Sequence, residues 1–152
     1  MRVPLALLLL SCGAPAVSPG PPAPELGLSR LEGASVTLAS LEGAPTLVVF
    51  WASWCGACRR EAPEIAALMA RYGDQLRVVA VNVGEDAVTA RAAADALGLT
   101  AVTALDPDGQ ATARWGVEAL PTVLLIDPEA RIRFRGHGLP PDLDALLAGG
   151  LG

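Results

Sequence analysis

The sequence predicts an α/β fold, an α/β sandwich around a mixed sheet, on three observations. Three segments are almost continuously apolar and rich in β-branched residues, the composition of interior strands covered on both faces. Segments with helical spacing separate them, and strand and helix alternate along the chain. A shorter stretch near the C-terminus alternates apolar with charged residues behind a turn signal, which suits an antiparallel edge strand. With 152 residues and 52% hydrophobic content, the chain is long enough for one domain of ordinary size.

Taken in order, the first twelve residues, MRVPLALLLLSC, carry one positive charge followed by a short apolar run. A spanning helix needs about 20 apolar residues, so residues 1–11 read as a signal peptide. LLSC at 9–12 resembles a bacterial lipobox, with cleavage before Cys12 and a lipid on its sulfur. A lipidated Cys12 would tether the mature chain to a membrane, and loss of Arg2 would take the formal charge from −5 to −6. The alternative is an ordinary secretory cut near APA at 14–16. Residues 12–25 are dense in Pro, Gly and Ala and form a linker spanning at most about 40 Å. The folded domain is expected over 26–152.

TLVVFW (46–51), RVVAVNV (77–83) and TVLLID (122–127) are the three buried strands. RIRFR (131–135) follows the turn signal DPEA and should pair with 122–127 as a hairpin that keeps one face wet. Helical patterns occupy about 57–72, 86–97, 110–116 and the closing PPDLDALLAG. DPDG at 106–109 reads as a turn, and Gly84 as a backbone device at a strand end. All eleven basic residues are arginine, and they are scattered too widely to form a nucleic-acid face.

The chemistry is concentrated in FWASWCGACRREAPE, residues 50–64. Cys55 falls after a buried strand, in the first turn of the following helix, where unpaired N–H groups and the helix dipole favour a thiolate. Cys58 lies one turn further in, with only Gly56 and Ala57 between. A disulfide closing so short a loop constrains little of the unfolded chain, so exchange chemistry explains the pair better than a structural staple. A zinc half-site would need two further ligands, and the sole histidine is His137, a loop residue after the last strand; no metal is expected. Glu61, three residues after Cys58, is either a proton shuttle for that thiol or a solvated charge on the helix. Trp51 is expected in the core and Trp54 at the rim, where it can cover a docked peptide. Pro63 removes one hydrogen bond inside the helix.

WCGAC with Pro63, VNVGE at 81–85 and LPT at 120–122 together resemble thioredoxin-fold proteins, in particular the TlpA/ResA-like branch of membrane-tethered, extracytoplasmic thiol:disulfide oxidoreductases. The resemblance covers roughly residues 26–149. It implies a mixed central sheet with helices on both faces, and makes 86–105 an inserted helix and strand. It also implies that Cys55 attacks, Cys58 resolves, and Pro121 is cis, leaving the backbone of Leu120 free to pair with substrate. Without it, a trans proline opening a strand would be the expectation. Glu61 matches a glutamate common in the branch, whereas Val49 stands where general thioredoxins carry a buried aspartate. On this reading Trp54, Gly56, Ala57, Leu120 and Pro121 bind substrate, and the redox-active pair needs no other cofactor. The partners are disulfide-bearing proteins and a membrane relay supplying electrons, with cytochrome c maturation as one destination. The protein would act as a monomer in the bacterial periplasm. Two rivals remain: a thiol peroxidase, which would carry its cysteine in a different motif, and a docking module that retains the fold without the chemistry.

Overall fold

The computed structural model describes residues 20–148. Cys12 and the leader lie outside them. The elements run β1 (Gly27–Arg30), β2 (Val36–Thr37), α1 (Leu38–Leu41), β3 (Thr46–Trp51), α2 (Gly56–Tyr72), a 3-10 turn (Gly73–Gln75), β4 (Arg77–Val83), α3 (Ala87–Ala96), β5 (Val102–Asp106), α4 (Gln110–Arg114), β6 (Thr122–Ile126), β7 (Ile132–Gly136) and α5 (Leu143–Ala148). The strands make one seven-stranded sheet in the order β2-β1-β5-β4-β3-β6-β7. β3, β4 and β5 run parallel, while β1 and β6 join this block antiparallel, so the sheet is mixed.

The period of two along the apolar runs sorts side chains onto the two faces. Leu47, Val49 and Trp51 pack with Val78, Ala80, Ile65, Cys55 and Cys58. Val48 and Phe50 face the other way, toward Val79, Val81, Ala111 and Trp115. Strands covered on both sides need apolar residues at every position, hence the unbroken composition of β3 and β6. β3 ends at Trp51, and a four-residue connection leads into α2, which puts the cysteines at the end of an interior strand.

Three differences from the sequence expectations have physical causes. β7 does not keep one wet face. A register shift between Leu125 and Ile126 sets Leu125 opposite Phe134 but Ile126 opposite Ile132, so one extra residue sits in β7. This bulge reverses the alternation: Phe134 packs on the cysteine face and Ile132 on the opposite face. The bulged Arg133 lies 3.6 Å from Asp127, whose carboxylate accepts from the Glu129 and Arg131 N–H groups and closes the hairpin turn. Second, β1, β2 and α1 were not anticipated, since elements of two to four residues are too short to show a period. Third, chain assigned by composition to the linker lies along the outer edge of β7. Pro22 bridges Arg131, Ala23 donates to the Ala130 carbonyl and is buried, and the Ile132 N–H reaches the Pro21 carbonyl. An edge strand is thereby covered by residues poor in donors, which hinders pairing with another chain.

Candidate active site

Cys55 is the N-cap residue of α2, with extended backbone at φ −79° and ψ 104°. Its Sγ accepts a hydrogen bond from the Cys58 N–H at 3.2 Å, so the sulfur stands among the unpaired donors of the helix end. The two cysteines are joined as a disulfide, Cα to Cα 5.3 Å, and each residue is only 5% exposed. Gly56 is exposed, and a Cβ there would meet nothing nearer than the Arg60 guanidinium at 3.7 Å, so the backbone next to Cys55 is uncovered at Gly56. Ala57 packs against the cysteine cluster, and Trp54 is 68% exposed at the rim. The Leu120–Pro121 peptide is cis, and Leu120 packs against both core clusters at the start of β6.

Glu61 is buried on the inner face of α2 together with Cys58 and Ile65. Burial pushes its carboxyl above the ordinary 4.5, aided by the neighbouring charge of Glu64 and opposed by a hydrogen bond from the Leu139 backbone. Its Oε2 has no hydrogen-bond partner among the described residues, and neither has the Trp51 indole N–H. Both side chains line a small pocket against Cys58, whose other walls are Val49, Ala62, Ile65, Ala80, Leu97 and Leu99. With Val49 in its wall, the pocket holds one carboxylate, that of Glu61.

Sequence reasoning missed two features. The loop before Cys55 is clamped at Ser53. The Glu85 carboxylate accepts from the Ser53 N–H at 2.9 Å and from its hydroxyl, and also from the Asn82 amide at 2.7 Å. From the other side, the Arg59 guanidinium donates twice to the Ser53 carbonyl, at 3.0 and 2.8 Å. Desolvation opposes ionisation of Glu85, but the Ser53 and Asn82 bonds outweigh it and hold its carboxyl below the usual range. VNVGE marked this segment, yet nothing local ties it to a serine 32 residues earlier. The second feature is His137, whose Nδ1 lies 3.1 Å from the Pro121 carbonyl oxygen. A lone histidine in a Gly-His-Gly loop carries no signal of that contact.

The arrangement is a disulfide whose outer sulfur caps the start of a helix, with a buried acid lining the same pocket as the inner cysteine. Residues 19–135 match the AhpC/TSA family profile. The ResA thiol-disulfide oxidoreductase of Geobacillus thermodenitrificans is 36% identical over 119 residues, 78% of this chain and 68% of its own length. The chain belongs to the AhpC/TSA family. The thiol:disulfide interchange protein DsbE of Xylella fastidiosa is 35% identical over 122 residues, covering 78% of this chain and 61% of that protein. A crystal structure assigned as DsbE from Chlorobium tepidum superposes with a TM-score of 0.78 at 30% identity, over 90% of this chain and all of that one. The mixed sheet with helices on both faces is thus a thioredoxin fold, and this member of the family is a thiol:disulfide oxidoreductase carrying a Cys55–Cys58 pair. No helix among the described residues is long and apolar enough to cross a membrane.

Proposed function

We propose that the protein reduces disulfides of partner proteins outside the cytoplasm, with Cys55 as the attacking and Cys58 as the resolving thiol. The observation that carries this reading is the hydrogen bond from the Cys58 N–H to the Cys55 sulfur at the start of α2, which favours the thiolate of Cys55 over that of any solvated cysteine. The Cys55 thiolate attacks one sulfur of the substrate disulfide, forming a mixed disulfide and expelling the other substrate sulfur as a thiolate. Glu61, whose carboxyl burial raises above the ordinary 4.5, then accepts the Cys58 proton in its ionised form. Cys58 attacks the Cys55 sulfur, the second substrate thiolate leaves, and the protein ends as the Cys55–Cys58 disulfide. Two electrons have passed to the substrate, and an external dithiol must return them.

Trp54 and the open backbone around Gly56 and Ala57 suit a protein disulfide approaching from above the sulfurs, with Leu120 and Pro121 beside it as the docking edge. The names of the relatives favour exchange over peroxide chemistry. Membrane attachment through lipidated Cys12, a membrane relay as reductant, monomeric action and cytochrome c maturation as the destination follow from the resemblance and belong to the same proposal. The reductive direction does too; pairs in this fold span about −270 to −120 mV.

Insulin reduction separates this reading from a docking module: Cys55→Ala should abolish an activity that the unaltered chain possesses, whereas a docking module has none to lose. Cys58→Ser should freeze substrates onto Cys55 and identify them by mass. An intact mass without an acyl addition on Cys12 would remove the lipid anchor from the account.

A further inference from the structure

The only histidine in the chain touches the one loop of the site that carries no reactive group. The β6–β7 ladder ends at the pair Val123 and Gly136. One step beyond, backbone pairing gives way to a side chain, as the His137 ring places Nδ1 at 3.1 Å from the Pro121 carbonyl oxygen. A carbonyl oxygen can only accept, so Nδ1 carries the hydrogen and donates it. The other end of this loop is also fixed, because the Thr122 hydroxyl donates to the Ala119 carbonyl at 2.7 Å. Leu120 lies between the two pinned carbonyls. The residue after His137 reaches Glu61: a Cβ on Gly138 would sit 3.5 Å from Glu61 Oε1. Residues 137 and 138 therefore touch both the loop at Pro121 and the buried acid Glu61.

We propose that His137 is a positioning residue for protein substrates: by holding the Pro121 carbonyl it fixes the direction in which the Leu120 backbone faces an extended peptide segment flanking the substrate disulfide. The inference rests on the thiol:disulfide exchange reading above. A peptide segment that pairs with Leu120 gains from a preset edge, since the ordering is complete before it binds. A small disulfide has no flanking backbone and gains nothing. The histidine thus acts on recognition and leaves the sulfur chemistry alone.

The test compares insulin with 5,5′-dithiobis(2-nitrobenzoate), using His137→Phe, which keeps a ring without the donor, and His137→Asn, whose amide N–H can stand in for Nδ1. One neutral hydrogen bond is worth roughly a fivefold effect. H137F should raise KM for insulin by about fivefold, with the rate on the small disulfide and the redox potential of the pair unchanged. H137N should return KM to within about twofold of the original. If H137F does not fold, His137→Ala must show the same split. An unchanged KM in the donorless variant, an equal loss on the small disulfide, a shifted potential, or failure of H137N to recover would each overturn the proposal. If the unaltered protein reduces neither disulfide, the exchange reading itself falls, a result distinct from any of these.

Discussion

Glu61 and Glu85 are two glutamates with opposite perturbations, and each makes its own prediction. At Glu61 the folded chain favours the protonated form, so stability is greatest below the ordinary 4.5 and falls as pH rises through the elevated folded value. Glu61→Gln should therefore raise the melting temperature at pH 7, with the gain vanishing near pH 4. The same change should slow release of the mixed disulfide by about tenfold or more at neutral pH, as expected from losing a general base, and lower the titration of Cys58 by removing a nearby negative charge. Unaltered release and titration would dismiss the shuttle. At Glu85 the folded value is depressed, so its contribution is present above 4.5 and lost as pH falls through the lower folded value. Glu85→Gln should lower the melting temperature at pH 7 and converge with the original protein in acid. Melting curves at pH 3, 5 and 7 read both signs. Of these two residues, Glu61 was visible in the sequence because a helix fixes its spacing from Cys58. Glu85 was not, because its partner Ser53 becomes a neighbour only when β3 and β4 lie side by side.

Among the elements, β3 and α2 carry the site, and both were legible. An unbroken apolar run followed by a helical period leaves one place for a strand-to-helix junction, and the cysteines fall on it. The hairpin β6–β7 was legible as a pairing but not in its phase, since a single bulged residue leaves no mark in an alternating pattern and reverses which side chains are buried. β5 became visible only through the resemblance, because VTALD is short and its polar residues Thr103 and Asp106 are buried by hydrogen bonding that the sequence does not display. Asp106, for example, is fully buried and accepts from the Ala111 and Thr112 N–H groups at the start of α4. Asp106→Asn keeps the shape but weakens those charge-assisted bonds. It should cost about 1–2 kcal/mol in denaturant unfolding, whereas a loss within experimental error would mean that the carboxylate is not holding α4.

At the scale of the whole molecule, the sheet separates a face that holds the sulfurs from one that does not. Trp115 packs on the second face, with its ring 5.8 Å from that of Phe50 and its indole N–H on the Glu25 carbonyl at 3.3 Å. Trp115→Phe should lower stability by about 1–2 kcal/mol through lost volume and a lost hydrogen bond, while leaving the thiol chemistry of the folded protein unchanged. A change in cysteine reactivity would mean that the two faces are coupled through the sheet. Two covered faces could be read from composition alone, but the division of labour between them could not, since it depends on which side α2 returns to. The central claim is that the end of α2 holds the Cys55 sulfur as an anion. The rate of iodoacetamide labelling of the reduced protein against pH, followed at Cys55 by mass, tests it most directly. The account predicts a midpoint for Cys55 at least one pH unit below the 8.5 or so of a free thiol, with Cys58 titrating above it; a midpoint for Cys55 at or above 8.5 would contradict it.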